Sequence, residues 1–193
     1  RRLHAADPTN GQAARDLSVS LNNLGNYHER RGAPGDADTA LGFYTESLEI
    51  DRRLHAADPT NGQAARDLSR SLNSLGNFYH RRGAPGDTDT ALEFYAESLE
   101  IRRRLYAADP TNGQAARDLS VSLERLGNYH HHRGATGDAD TALGFYTESL
   151  EIRRRLHAAD PTNGQAARDL SISLDNLGDY HQRRGAPGDA DTA

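Results

Sequence analysis

The sequence contains no cysteine, methionine, tryptophan or lysine, and some of these absences limit what the chain can be. Without cysteine it has no disulfides and no thiolate metal sites, although this says nothing about the compartment. No apolar run approaches the roughly 20 residues that a membrane-spanning helix needs. No signal-peptide pattern opens the sequence. The sequence therefore predicts neither a disulfide scaffold nor a membrane protein.

The charge balance disfavours nucleic acid as a partner. All basic residues are arginine, yet the net charge is −5, whereas a chain that holds phosphate backbones is normally basic. Hydrophobic residues make up only 35 % of the chain, but they are periodic, which indicates a folded protein rather than disorder.

One stretch of sequence returns four times at a spacing of 51 residues. Its copies are Leu17–Arg31, Leu68–Arg82, Leu119–Arg133 and Leu170–Arg184, and the sequence between them repeats as well. A fixed period of this size is typical of a stacked array of repeats. The sequence therefore predicts a single repeat array, with units of about residues 1–51, 52–102, 103–153 and 154–193.

Both ends of the sequence cut through a repeat. Arg1 is equivalent to Arg52, and Ala193 is equivalent to Ala40, which precedes an apolar helix in the complete copies. Natural domain boundaries seldom divide a structural unit. We therefore expect the chain to be a segment of a longer array.

The first half of each unit has the pattern of a helix, here called helix A. In the first copy it is predicted from about Gly11 to Arg31, after an N-cap at Asn10. Gly25 lies inside it, at a cost of about 1 kcal/mol relative to Ala. Because this glycine recurs in every copy, we expect a neighbouring helix to approach it closely. Apolar positions recur at helical spacings of three and four, at Ala14, Leu17, Leu21, Leu24 and His28.

The second half of each unit predicts helix B. The breaker Gly32–Gly35 comes first, Asp36 is the expected N-cap, and the helix is expected from about Ala37 to Ala57. Four units of this kind, the last without its helix B, predict seven helices and no strands. The expected buried side of helix B consists of Ala40, Leu41, Phe43, Tyr44, Ser47, Leu48, Ile50 and Leu54.

The unit resembles a tetratricopeptide repeat. Leu24-Gly25 in helix A and Gly35, Ala40 and Tyr44 further on follow the pattern of that family, and the second and third copies repeat it. Three features depart from the pattern. Leu21 stands where the family often has Trp, and the period is 51 rather than about 34. The aromatic residue expected three positions after the glycine is Tyr79 in the second copy but histidine in the others, at His28, His130 and His181. The resemblance implies an all-α, right-handed superhelical solenoid of antiparallel helix hairpins. It also implies that a protein or peptide binds in a concave groove lined by the A helices.

Differences between the copies concentrate at the groove positions that the resemblance implies. Fourteen of the 51 positions vary, and all six groove positions are among them. Neutral drift of exposed positions is the alternative interpretation, but other polar positions, such as Gln12 and Glu46, do not vary between full copies. The predicted groove residues are Val19, Asn22, Asn23, Asn26, Glu29, Arg30, Arg70, Asn73, Ser74, Asn77, His80, Arg81, Val121, Glu124, Arg125, Asn128, His131, His132, Ile172, Asp175, Asn176, Asp179, Gln182 and Arg183.

A second function follows from the open ends of the array. Near-identical units could stack end to end into a filament, since heterologous contacts that do not close generate fibres. Self-association through the ends is therefore the alternative to a binding scaffold.

The sequence predicts no enzyme, metal site or cofactor. The run His130-His131-His132 cannot converge on one ion, because consecutive helical residues point about 100° apart. Asp36 and Asp38 are explained by helix capping rather than calcium, because further acidic ligands are missing at the required spacing. No set of nucleophile, base and orienting residue is visible, and no glycine-rich loop follows a strand.

Overall fold

A computed structural model describes residues 10–184, and in this range the chain is all α-helical. Helices and short turns alternate, and no strand occurs between residues 10 and 184. The predicted all-α fold of antiparallel hairpins is confirmed. The seven helices of this part of the chain are α1 Gly11–Arg31, α2 Asp36–Ala57, α3 Gly62–Arg82, α4 Asp87–Ala108, α5 Gly113–Arg133, α6 Asp138–Ala159 and α7 Gly164–Arg184.

The A helices begin and end as the sequence predicts. The Asn10 side chain accepts a hydrogen bond from the Ala13 amide at 2.9 Å, so it is the N-cap of α1. At the other end, Gly32 has a φ of 64° and donates its amide to the His28 carbonyl at 3.1 Å. Left-handed backbone of this kind is accessible to glycine at no steric cost, which is why the helix stops there.

The predicted N-cap of helix B at Asp36 is wrong. Gly35 occupies the cap position with a φ of 81°, and Asp36 is the first residue inside α2. The Asp36 carboxylate instead reaches back over the turn, where it accepts from the Ala33 amide at 2.8 Å and from Arg31 Nε at 2.7 Å. The left-handed Gly35 places this side chain toward the turn, so it ties the two helices of the hairpin together.

The chain divides into two compact units, Arg1–Ile101 and Arg102–Ala193. In the first unit, Leu17 and Leu21 of α1 form a buried cluster with Ile50 of α2. In the second unit, a different part of the repeat forms a buried cluster, with Ala142 and Tyr146 of α6 and Tyr180 of α7. The single repeat array remains a prediction. None of the described helices is long and apolar enough to cross a membrane.

The recurring glycine of helix A leaves a gap in the helix surface, here called the notch, which a tyrosine ring of helix B fills. A Cβ atom built on Gly25 would lie 2.6 Å from Cε1 of Tyr44, and the second and third copies give 2.6 and 2.7 Å. Real Cβ atoms do not approach a ring this closely, so only glycine fits. The predicted close approach is confirmed for three pairs, Gly25–Tyr44, Gly76–Tyr95 and Gly127–Tyr146.

A charged side chain is buried in the first unit between α1, α2 and α3. Asp51 of α2 is almost fully buried and accepts hydrogen bonds from the hydroxyls of Ser18 and Ser71, at 2.6 and 2.5 Å. Burial raises the pKa of Asp51, while the two serine hydroxyls oppose that shift.

In the second unit, the equivalent position has the opposite charge. Arg153 of α6 is buried and donates to the Asp169 carbonyl at 2.8 Å and to the Ser173 hydroxyl at 3.0 Å. It also forms an ion pair with Glu124 of α5. Serine therefore serves as a hydrogen-bond donor to a carboxylate in one unit and as an acceptor from a guanidinium in the other.

Candidate functional site: the face of the A helices

In the first unit, predicted groove residues of two different repeats meet at one cavity. The cavity has a volume of about 790 Å³, and its lining includes Asn26, Glu29 and Arg30 of α1 and Arg81 of α3. Phe78 contributes an apolar ring to the same lining. Phe78 is itself only 3 % exposed, so the accessible surface of the site consists mainly of amide and charged groups.

An ion pair joins the two helices across this cavity. Arg81 donates to Glu29 through Nε at 2.8 Å and through Nη2 at 2.5 Å. The Tyr44 hydroxyl lies 2.8 Å from Asn26 Oδ1 and 2.9 Å from Glu29 Oε2. Burial, followed by the hydrogen bond to Glu29, raises the pKa of Tyr44 above its usual range. The single hydroxyl proton of Tyr44 is therefore shared between these two acceptor oxygens.

Three exposed arginines line the cavity, and two of them are paired: Arg81 with Glu29 and Arg82 with Asp87. Arg30 is the third. Its Nε donates to the Asn26 carbonyl of its own helix at 3.1 Å, and no ion pair to Arg30 is formed among residues 10–184. Its two terminal amino groups, Nη1 and Nη2, are suited to a carboxylate.

Not every predicted groove residue faces solvent. Asn73 is only 4 % exposed and donates to the Ser98 hydroxyl at 2.6 Å, so it holds its own hairpin together. Eleven of the 24 are exposed: Val19, Asn23, Arg30, Arg70, His80, Arg81, His132, Ile172, Asp175, Asp179 and Gln182. Eleven are partly buried: Asn22, Asn26, Glu29, Ser74, Asn77, Val121, Glu124, Arg125, Asn128, His131 and Asn176. The side chain of Arg183 lies outside the described part of the chain.

Several of the partly buried residues link adjacent A helices. The Ser74 hydroxyl donates to Asn22 Oδ1 at 2.9 Å in the first unit. In the second unit, Asn176 donates to Glu124 Oε1 at 2.5 Å. These side chains lie on the predicted face, but they form hydrogen bonds to the neighbouring A helix rather than pointing toward solvent.

In the second unit, the three consecutive histidines point in different directions. His130 bonds through Nδ1 to Asp138 Oδ1 at 2.7 Å, whereas His132 Nδ1 lies 2.6 Å from the Asn128 carbonyl. The His131 ring lies 5.8 Å from the ring of Tyr180. Between residues 10 and 184, no three histidine or acidic side chains are placed to hold a metal ion.

Sequence reasoning missed part of the cavity lining. Phe78, Arg82 and Asp36 line it but were not predicted as site residues. A signal existed for Phe78, because this position varies between Tyr and Phe among the copies. Arg82 is constant in all four copies, and its ion pair with Asp87 could not be read from the repeat pattern.

The hairpins and their glycine–tyrosine notches define the chain as a tandem helical repeat protein. The tetratricopeptide repeat family matches residues 68–111, which confirms the resemblance predicted from the sequence. No curated protein matches the chain.

The chain is also similar to solved structures. The DHF79 filament is 14 % identical with a TM-score of 0.50, and the match covers 95 % of this chain and 92 % of that chain. The de novo designed helical repeat protein DHR64 is 14 % identical with a TM-score of 0.39, over 94 % and 88 % of the two chains. At this identity the likeness shows the fold alone.

Proposed function

We propose that the chain is a non-catalytic scaffold that binds an extended peptide on the face of its A helices. The observation that carries this proposal is the cavity of about 790 Å³, at which variable residues of two repeats converge. Arg30 offers a guanidinium, while Asn26 and Glu29 lie within hydrogen-bond distance of the Tyr44 hydroxyl. The preferred peptide therefore presents a carboxylate.

The test is a screen of fluorescent peptides that vary in charge and in apolar content. Arg30→Glu should weaken binding of an acidic peptide by about tenfold or more, since it replaces attraction by repulsion. Arg53→Glu is the matched control, because Arg53 is exposed on α2 and does not line the cavity. Equal binding by both variants would refute the assignment of this cavity.

End-to-end association is a second candidate function. Leu24 and Tyr27 of α1 are exposed by 43 % and 55 %, although the equivalent Leu75 and Phe78 are buried. An exposed apolar face of this kind favours contact with another molecule. The similarity to the DHF79 filament supports the same idea at the level of fold.

Light scattering coupled to size exclusion, across a range of concentrations, separates the two candidates. A mass that rises with concentration beyond a dimer would support end-to-end association. A constant mass of 21.1 kDa would exclude it for this chain and leave the groove as the functional surface.

A further inference from the structure

The residues that line the cavity of the first unit have equivalents in the second unit, 102 positions further on. Eleven residues line the cavity, within residues 26–37 and 78–82, and none of them belongs to α4. The equivalent positions, residues 128–139 and 180–184, are here called the α5–α7 site, and they include no residue beyond the helices already described. Eight of the eleven residues are identical in the α5–α7 site, and the three replacements are Glu29 by His131, Arg30 by His132 and Phe78 by Tyr180.

The contacts that shape the cavity are repeated around the α5–α7 site. The Tyr146 hydroxyl donates to Asn128 Oδ1 at 2.7 Å, as the Tyr44 hydroxyl does to Asn26 Oδ1 at 2.8 Å. The rings of Tyr146 and Tyr180 lie 6.2 Å apart, and those of Tyr44 and Phe78 lie 6.0 Å apart. The second unit therefore builds the same framework, in which only the residues that would meet a ligand are exchanged.

His132 stands in the place of Arg30 and is anchored in the same way. Arg30 Nε donates to the Asn26 carbonyl at 3.1 Å, and His132 Nδ1 lies 2.6 Å from the Asn128 carbonyl. Both contacts join the side chain to the carbonyl four residues earlier in its own helix. Because a carbonyl only accepts hydrogen bonds, Nδ1 of His132 carries the proton. The side chain is exposed, so the other ring nitrogen, Nε2, remains for a ligand.

The protonation of Nε2 decides whether His132 attracts or repels a carboxylate. In the neutral ring with its proton on Nδ1, Nε2 is an acceptor and offers nothing to an anion. In the imidazolium, Nε2 is a charged donor, as the terminal nitrogens of Arg30 are at every pH. Histidine changes between these two forms between pH 5 and 8. The α5–α7 site therefore complements a carboxylate through His132 only in acidic solution.

The hairpin turn beside His132 keeps its charges in this range of pH. His130 Nδ1 lies 2.7 Å from Asp138 Oδ1, and Arg133 Nε donates to Asp138 Oδ2 at 2.7 Å. The hydrogen bond from Arg133 holds the pKa of Asp138 well below its usual range, so this carboxylate stays ionised between pH 5.5 and 8. Acidification to pH 5.5 therefore does not remove the charge that ties α5 to α6.

The other ionisable groups near His132 lie on α5 and α7. On α5, the ring of His131 lies 5.6 Å from that of His132. On α7, Asp179 and His181 are exposed, and positions 183 and 184 are arginine, as at positions 81 and 82. Aspartate and arginine keep their charges between pH 5.5 and 8, since their ordinary pKa values are about 4 and above 12. The histidines are therefore the groups that variants must separate.

We propose that the α5–α7 site is a second site for the acidic peptide that the first unit binds, and that it is occupied when His132 is protonated. The inference rests on the proposed function, because it transfers the role of Arg30 to His132. At pH 8 the chain binds one peptide, in the first unit. As the pH falls, the imidazolium supplies the missing cation and a second peptide binds, so that acidity sets the number of peptides bound per chain.

The test uses a peptide of alternating glutamate and glycine, labelled with a rhodamine whose emission does not depend on pH. Its glutamates stay ionised at pH 5.5, because their ordinary pKa is about 4.3. Titration calorimetry of the full chain should give one peptide per chain at pH 8 and two at pH 5.5. The variant Arg30→Glu isolates the α5–α7 site, and fluorescence anisotropy should show binding about tenfold tighter at pH 5.5 than at pH 8.

Substitutions of single histidines in the Arg30→Glu chain assign this dependence on pH. His132→Gln should abolish it, because glutamine gains no charge. His132→Arg should bind the peptide tightly at both pH values, because it restores the arginine of the first cavity. His131→Gln is the matched control and should keep the tenfold change. Circular dichroism should be the same for all of them, since His132 is exposed.

The two proposals fail in different ways. Binding at pH 8 that is unchanged by Arg30→Glu would refute the proposed function itself, because His132 is neutral there. If Arg30→Glu weakens binding at pH 8 but the dependence on pH survives His132→Gln, or is lost in His131→Gln, only the present inference is overturned. Weak binding of the His132→Arg chain at both pH values would overturn it as well.

Discussion

Arg153 and Glu124 form an ion pair in which the guanidinium is 2 % exposed and the carboxylate 14 %. The charges lie on the two helices of one hairpin, and Asn176 of α7 donates to the same carboxylate. In the first unit, the equivalent positions are Asp51 and Asn22, so the pair is absent there. At equivalent interfaces, a buried ionisable side chain thus has different partners: serine hydroxyls for Asp51, and a carboxylate together with serine for Arg153.

The first prediction concerns that ion pair. Glu124→Ala leaves the guanidinium of Arg153 buried without its counter-ion, and should lower the free energy of unfolding by about 3–5 kcal/mol. The double variant Glu124→Ala with Arg153→Met should recover most of this loss, because no charge remains buried. Urea unfolding followed by circular dichroism measures both, and a double variant no more stable than Glu124→Ala alone would contradict the explanation.

The second prediction concerns the buried carboxyl of Asp51. Burial raises its pKa, so its contribution to stability is present at low pH and is lost as the pH rises through the folded-state pKa. Asp51→Asn keeps partners for the hydroxyls of Ser18 and Ser71 but carries no charge. The variant should therefore gain stability relative to the parent chain as the pH rises from 4 to 8.

Asp58 provides a matched control for this prediction, because its pKa is shifted in the opposite direction. Hydrogen bonds from the Thr60 hydroxyl and amide lower the pKa of Asp58. Its contribution to stability is therefore present above the usual carboxyl pKa and is lost in acid. Asp58→Asn should lose stability relative to the parent chain as the pH rises, so equal pH profiles for the two variants would refute the assignment.

The third prediction separates two glycines that both lie inside helices. Gly76→Ala would push a methyl group to 2.6 Å from the Tyr95 ring, and this overpacking costs about 1–3 kcal/mol. Gly42→Ala meets no atom within 4 Å and should gain about 1 kcal/mol from helix propensity. Thermal unfolding should rank Gly42→Ala above the parent chain and Gly76→Ala below it; the reverse order would exclude the notch as a packing constraint.

The fourth prediction concerns the turn inside each hairpin. Arg31, followed by His28, holds the pKa of Asp36 well below its usual range. The stabilisation is therefore complete above the usual carboxyl pKa and is lost as the pH falls toward the folded-state value. Arg31→Gln should shift the midpoint of acid unfolding to higher pH.

Arg53→Gln provides the comparison for the turn. Arg53 is exposed on α2, and its Nε lies 3.4 Å from the Glu49 carbonyl, with no carboxylate paired to it among the described residues. The substitution should leave the acid midpoint unchanged. A similar shift in both variants would mean that net charge, rather than the contact with Asp36, sets acid stability.

Repetition makes much of this fold predictable. The bounds of α1 follow from the N-cap Asn10 and from the breaker at Gly32, and the close approach at Gly25 follows from its recurrence. The N-cap of helix B was missed because Gly35 and Asp36 both suit such a position. Only the left-handed backbone at Gly35 decides between them.

The buried charges were missed although a signal for them exists. Tyr44 and Ser47 were expected on the buried side of α2, and Asp51 continues their spacing of three and four residues. A charged residue on an apolar stripe is normally assigned to the surface, because burial of a lone charge is costly. The serines that compensate this cost lie on two other helices, and no pattern within α2 reveals them.

The predicted groove is only partly recoverable from the sequence. Variation among copies pointed to Arg30 and Arg81, which line the cavity, and equally to Asn73, which is buried. Variation alone cannot separate a residue that meets a ligand from one that meets a neighbouring helix, since each site is adapted to its own surroundings.

The serine hydroxyls around Asp51 and Arg153 have a consequence for recombining repeats. A hydroxyl can reverse its role between donor and acceptor by rotating one bond, so the recurring serines can face an anion or a cation, and Glu124 of the same hairpin supplies the counter-ion for the cation. Units with opposite buried charge can therefore be exchanged, duplicated or deleted as interchangeable blocks. An array whose units can be exchanged in this way can gain or lose repeats without a change in the residues on its exposed face.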